Sequence, residues 1–131
     1  MPVKTIKQTY LIEAPPQRVF EALTNAEQIS AWSGSEAEMD ARPGGAFSLW
    51  DGSILGTNLA VEPDKKLMQS WREARWTADS TVTFTLTPDG EGTRLDLLHD
   101  DVPDEEHDAI AEGWDIYYLG VIKEYLEGSR G

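Results

Sequence analysis

The chain of 131 residues contains no cysteine. Disulfides, thiolate metal sites and a thiol nucleophile are therefore excluded, and an intracellular setting is the natural expectation. Lysine and arginine are scarce, 11 against 24 Asp and Glu, for a formal charge of −13. Such a surface repels phosphate backbones and anionic membranes, so neither nucleic acid nor membrane is an expected partner; solubility is the favoured reading of the acidity, beside a cationic partner surface or a salty cytoplasm. His99 and His107 are the only histidines, and no HxH or HExxH step joins them to a second ligand. The acids around them, Asp100, Asp101, Asp104 and Glu105, lack the glycine-punctuated pattern of a calcium loop and read as a charged loop and helix start. No metal and no cofactor are expected. Nucleophile-elbow, Walker and dinucleotide fingerprints are also missing. No run approaches about 18 apolar residues, and Met1-Pro2-Val3-Lys4-Thr5 does not open a signal peptide, so we expect a soluble cytoplasmic protein built as one domain over residues 1–131.

What is present reads as short elements in a definite order. Val3 to Glu13 is a strand-like run, and Pro16 is placed to open a short helix carrying Val19, Phe20 and Leu23, because its missing N–H is not needed there. A second short helix follows to Trp32, with Asn25 as its cap. The period then falls to two. Glu36 to Ala41, Ala46 to Trp50, Ile54 to Val61, Lys65 to Glu73, Ser80 to Thr87 and Thr93 to His99 read as strands, with Asp51-Gly52 as a hairpin turn. Val82, Phe84 and Leu86 alternate cleanly with threonines, and Leu95, Leu97 and His99 share a face of the next strand.

Pro103-Asp104 should start a last helix of roughly 24 residues, about 36 Å long. Ile110, Trp114, Tyr117, Val121 and Tyr125 recur at helical steps, and Tyr118, Ile122 and Leu126 widen the stripe. Gly113 and Gly120 each weaken a helix interior by about 1 kcal/mol relative to Ala, which suggests a close approach of another element. Two readings of the stripe stand side by side: a plug that fills the core, or a wall of a cavity between helix and sheet.

The expected architecture is thus α+β: a curved antiparallel sheet of about six or seven strands around a long C-terminal helix, with two short helices after the first strand. His99, Asp51, Glu73 and Asp115 are candidate acids or bases, but none is paired by sequence with a nucleophile, so no catalytic residue is assigned. The chain is instead rich in large amphipathic groups on opposing elements. Trp32, Phe47, Met68, Trp71, Trp76, Phe84, Leu97, His99, Trp114, Tyr117 and Tyr118 form the candidate ligand pocket, with Trp76 at its rim and Trp32 closing one end. Arg72 should point away from Trp71 and meet one of the many acids.

Gly44-Gly45-x-Phe47, Asp51-Gly52, Gly56, Pro63 followed by Trp71-Arg72, Thr83 to Thr87, and Gly113-Trp114-x-x-Tyr117-Tyr118 leading to Ile122-Lys123 together resemble the C-terminal domain of the activator of Hsp90 ATPase. That domain is a helix-grip member of the START-like (SRPBCC) superfamily. The resemblance covers nearly the whole chain and implies fold more strongly than activity. It also departs from the eukaryotic activator, whose separate N-terminal domain, with an Asn- and Trp-rich motif, finds no match here. The expectation is therefore a non-enzymatic domain that binds a small hydrophobic or aromatic molecule between sheet and helix. Interaction with an Hsp90-type chaperone is the first alternative, and a cyclase- or hydrolase-like enzyme using His99 is the second.

Overall fold

In a computed structural model, which describes residues 3–128, the chain runs β1 (Val3–Ile12), α1 (Pro16–Thr24), α2 (Ala26–Ser33), β2 (Glu38–Met39), β3 (Ala46–Leu49), β4 (Ile54–Glu62), β5 (Lys66–Glu73), β6 (Ser80–Asp89) and β7 (Gly92–Pro103). A 3-10 turn (Asp104–Glu106) leads into α3 (His107–Gly113), which continues through one π-helical turn (Trp114–Tyr118) into α4 (Leu119–Gly128). The strands form one antiparallel sheet of seven, in the order β1-β7-β6-β5-β4-β3-β2. Register shifts between Lys4 and Ile6 and between Asn58 and Ala60 add local bend and twist, and the helices occupy the concave side. This is the helix-grip architecture that the sequence predicts.

Local chemistry explains the element ends. α1 starts on Pro16, and Asn25 caps α2 by accepting the Gln28 N–H at 3.1 Å. The β3–β4 connection bends through left-handed Trp50 and Asp51 and through Gly52 at φ 88°, a conformation that glycine adopts without a Cβ penalty. The expected strand over Glu36 to Ala41 shrinks to Glu38–Met39.

Two boundaries differ from the sequence reading. β7 continues past His99 to Pro103, because Val102 and Pro103 pair with Lys4 and Val3 of β1. Regular α-helix consequently begins at His107, not at Pro103-Asp104. The second difference is the π-turn, in which the N–H of Leu119 bonds back to the carbonyl of Trp114, five residues earlier. The extra residue rotates the apolar stripe. Ile110, Trp114, Tyr118, Leu119, Ile122 and Leu126 are buried, whereas Tyr117 is 65% exposed. A Cβ on Gly120 would overlap the Asp115 carbonyl oxygen, so this glycine does mark a close backbone approach; one on Gly113 would meet nothing nearer than 3.9 Å.

The core lies between sheet and helices and is dense in rings. Phe84, Val82, Leu95 and Leu67 rise from the central strands, and Val19, Leu23 and Ile29 come down from α1 and α2. Such side chains stabilise by about 1.5–3 kcal/mol each on full burial. Trp32 is fixed by its indole N–H, which donates to the Ala22 carbonyl at 2.9 Å.

Candidate functional site

The concave face of β5 carries Leu67, Gln69 and Trp71, all buried, while Met68 belongs to the alternate row with Ser70 and Arg72. Met68 is thus set on the opposite face from Trp71, because residues three apart on a strand cannot share a side. Arg72, on that outer row, donates to the Trp76 carbonyl at 3.3 Å and pairs with Asp79 at 3.6 Å, which ties down the β5–β6 loop.

The rings expected to surround a pocket instead pack on one another. Centroids lie 5.5 Å apart for Trp71 and Trp114, 5.7 Å for Phe84 and Trp114, and 4.5 Å for Trp114 and Tyr118. Trp32 reaches Tyr118 at 5.0 Å, and Trp76 reaches Trp71 at 5.7 Å. Pairs of this kind add about 0.5–1.5 kcal/mol each beyond area burial. Phe47 covers Gly56, whose missing Cβ leaves room for its ring. Leu97 is buried beside this cluster on the inner row of β7. Trp76 is buried rather than at a rim, and its indole N–H donates to Glu106 at 3.4 Å.

His99 sits within the cluster, fully buried, and its hydrogen bonds fix its tautomer. The Trp114 indole is a donor only, and it donates to His99 Nδ1 at 3.0 Å. The ring proton is therefore on Nε2, which donates to Ser80 Oγ at 2.7 Å, and Ser80 donates to the Trp71 carbonyl at 2.5 Å. The Ser–His contact thus runs opposite to nucleophile activation, where the imidazole must accept the hydroxyl proton. Burial pushes the His99 pKa down to about 3, so the ring stays neutral and both nitrogens are engaged. The other candidate acids lie elsewhere. Asp51 is exposed at the hairpin tip, Glu73 pairs with Arg75 at 2.9 Å, and Asp115 accepts from Tyr10 Oη at 3.3 Å. Among the described residues, no three His, Asp or Glu gather as metal ligands.

An open crevice of about 500 Å³ lies between the β3–β4 hairpin and the run from α3 through the π-turn. Trp50, Ile54 and Trp71 form the sheet side, and Ile110, Trp114, Tyr117 and Tyr118 the helix side, with Ser53 and Glu73 at the edge. Of the predicted pocket residues, Trp71, Trp114, Tyr117 and Tyr118 border it. Trp32, Phe47, Trp76, Phe84, Leu97 and His99 do not. Trp50 and Ile54 were missing from the predicted pocket; their signal is their position on either side of Asp51-Gly52, which aims the hairpin at the helix. Two polar atoms on the concave face of β5, Trp71 Nε1 and Gln69 Oε1, are buried without a partner, an uncommon condition for interior polar groups.

A sequence profile of the family described as activator of Hsp90 ATPase homolog 1-like protein matches residues 13–127. The chain belongs to that family. Among relatives, the activator of 90 kDa heat shock protein ATPase homolog of Dictyostelium discoideum is 31% identical over 123 residues, which cover 92% of this chain and 32% of the relative. The human activator homolog 1 is 30% identical, with 92% and 36% covered. The chain spans about a third of the length of the curated relatives it matches. Among solved structures, PFC0360w, an HSP90 activator from Plasmodium falciparum, superposes with a TM-score of 0.89 at 30% identity, covering 95% of this chain and 96% of that one. The family signature over Gly113 to Tyr118 falls on the π-turn and the crevice wall. Among the described residues, no helix is long and apolar enough to cross a membrane.

Proposed function

We propose that this chain is a non-catalytic binding domain that acts on an Hsp90-type chaperone and alters its ATPase rate. The observation that carries this reading is the likeness to an HSP90 activator, PFC0360w, over nearly the full length of both chains. The packed interior agrees with it. Rings occupy the space under the last helix where an enclosed ligand would sit, and His99 is committed to structural hydrogen bonds, so recognition falls to the surface. The test is a titration of the chain into the purified Hsp90-type chaperone of its own host, with ATP turnover as readout; a saturable change in rate supports the reading, and an unchanged rate without binding refutes it.

A second reading keeps the small hydrophobic or aromatic ligand and seats it in the crevice. Its support is the apolar lining together with the unpaired indole N–H of Trp71, which could donate to an acceptor oxygen on such a molecule. Native mass spectrometry of protein from its own host tests it directly, since a bound small molecule adds its mass and an empty protein does not.

A further inference from the structure

Gly113 and Gly120 stand on the same helical run for different reasons. Gly120 answers to the Asp115 carbonyl oxygen, which a Cβ would overlap. Gly113 has no such neighbour. Its backbone is ordinary right-handed helix, φ −62° and ψ −35°, open to any L residue, and the nearest atom to a Cβ there is Tyr117 Cδ2 at 3.9 Å. Glycine in a helix interior is less favourable than alanine or leucine, so helix formation alone would be served better by either. Gly113, however, lines the crevice together with Ala109, Ile110 and Tyr117. A helical side chain leans back over the turn before it, so any side chain at 113 would lie across Ala109 and Ile110, inside the crevice. What glycine supplies at this position is open volume.

The rest of the lining sets the chemistry of what can enter. Trp50, Trp71, Trp114, Tyr117 and Tyr118 present aromatic surface, which favours stacking on a flat apolar molecule. Trp50 is held there with a left-handed backbone at φ 49°, uncommon for a bulky residue. Its ring is braced by Trp32 at 5.9 Å and Tyr118 at 5.6 Å. Among the described residues, no lysine, arginine or histidine lines the crevice, so a carboxylate or phosphate would enter without a counter-charge. The carboxylate of the lining, Glu73, is already paired with Arg75 at 2.9 Å, which leaves nothing to hold a cation. The indole N–H of Trp71, a residue 3% exposed, has no partner and calls for an acceptor. A single ring would leave most of the crevice, about 500 Å³, unfilled.

We propose that Gly113 is the residue that sizes this crevice, and that the crevice takes an uncharged, flat, fused-ring molecule bearing a hydrogen-bond acceptor oxygen. The rings lie over the Gly113 backbone between Trp50 and Tyr117, and the oxygen is the partner of Trp71. This rests on the ligand reading given above and narrows its class.

The experiment titrates three probes of similar size into the full chain at neutral pH: naphthol, its carboxylate analogue naphthoate, and its saturated analogue decalol. Proton–nitrogen NMR of the tryptophan indoles is the readout. Naphthol should move the Trp50, Trp71 and Trp114 signals saturably, and naphthoate and decalol should bind at least about tenfold more weakly. Gly113→Leu should lower naphthol affinity at least about tenfold while unfolding at or above the wild-type temperature. The Trp32 and Trp76 signals, from outside the lining, report that the variant keeps its packing. Gly113→Ala, which meets no clash, carries the test if the leucine variant misfolds, through a smaller loss in the same direction. Naphthol affinity that a folded Gly113→Leu leaves intact, or naphthoate or decalol bound as tightly as naphthol, overturns the inference while the ligand reading stands. A wild-type chain that binds no naphthol also overturns it. If native mass spectrometry of the protein from its own host then finds no bound molecule, the ligand reading falls with it.

Discussion

Trp114, from the last helix, donates its indole N–H to Nδ1 of His99, from the inner row of β7, across 3.0 Å. That single bond fixes the histidine tautomer, ties helix to sheet and commits the chain's one buried histidine to structure.

Removal of the donor should be costly in a way that volume alone does not explain. Trp71 and Trp114 are equally buried, 3% and 2% exposed, but only the Trp114 N–H has a partner. Trp114→Phe orphans His99 Nδ1, whereas Trp71→Phe deletes a donor that is already unpaired. Both substitutions shrink the core alike, so urea unfolding should find Trp114→Phe the more destabilising by about 1–3 kcal/mol. Equal losses would mean that the bond contributes nothing.

Acid should weaken the fold through His99. Its pKa in the native state is pushed down to about 3 from 6.5 by burial, so the unfolded chain takes up the proton first as pH falls. The contribution of the neutral ring is fully present above about pH 6.5 and is lost progressively toward pH 3, on the order of 4 kcal/mol over that window. Urea midpoints at pH 7.5, 6, 5 and 4 check the slope. NMR should find the His99 ring unprotonated at pH 5, and a midpoint of titration near 6.5 would contradict this account.

The two helix glycines should behave oppositely. Gly120→Ala drives a Cβ into the Asp115 carbonyl oxygen and requires the π-turn to rearrange, with a cost of at least about 2 kcal/mol. Gly113→Ala meets only ordinary contact with Tyr117 at 3.9 Å and should be neutral or stabilising by up to about 1 kcal/mol. Thermal melts of the two variants decide the matter.

Much of the framework was legible because local chemistry and tertiary structure agree. Pro16, Asn25 and Asp51-Gly52 act where their backbone preferences place them, and the alternation of Val82, Phe84 and Leu86 identifies the buried face of β6. His99 was correctly placed on an inner row. Tyr117 was assigned inward because a uniform period of 3.6 was applied across Gly113 to Gly120, and a single π-turn leaves no mark in apolar spacing. Met68 could have been set apart from Trp71 by parity alone. The extension of β7 through Asp100 and Asp101 was hidden by residues that favour turns, and the pairing of Val102 with Lys4 outweighs them. Whether rings line a space or fill it depends on distances of about one ring thickness, which no sequence pattern encodes.

The chaperone reading is tested most directly by the steady-state ATPase rate of the purified Hsp90-type chaperone from the same host, measured against increasing concentration of the wild-type chain. The account predicts a saturable change in rate. A rate that stays flat across the titration, with no complex detected at the same concentrations, would contradict it.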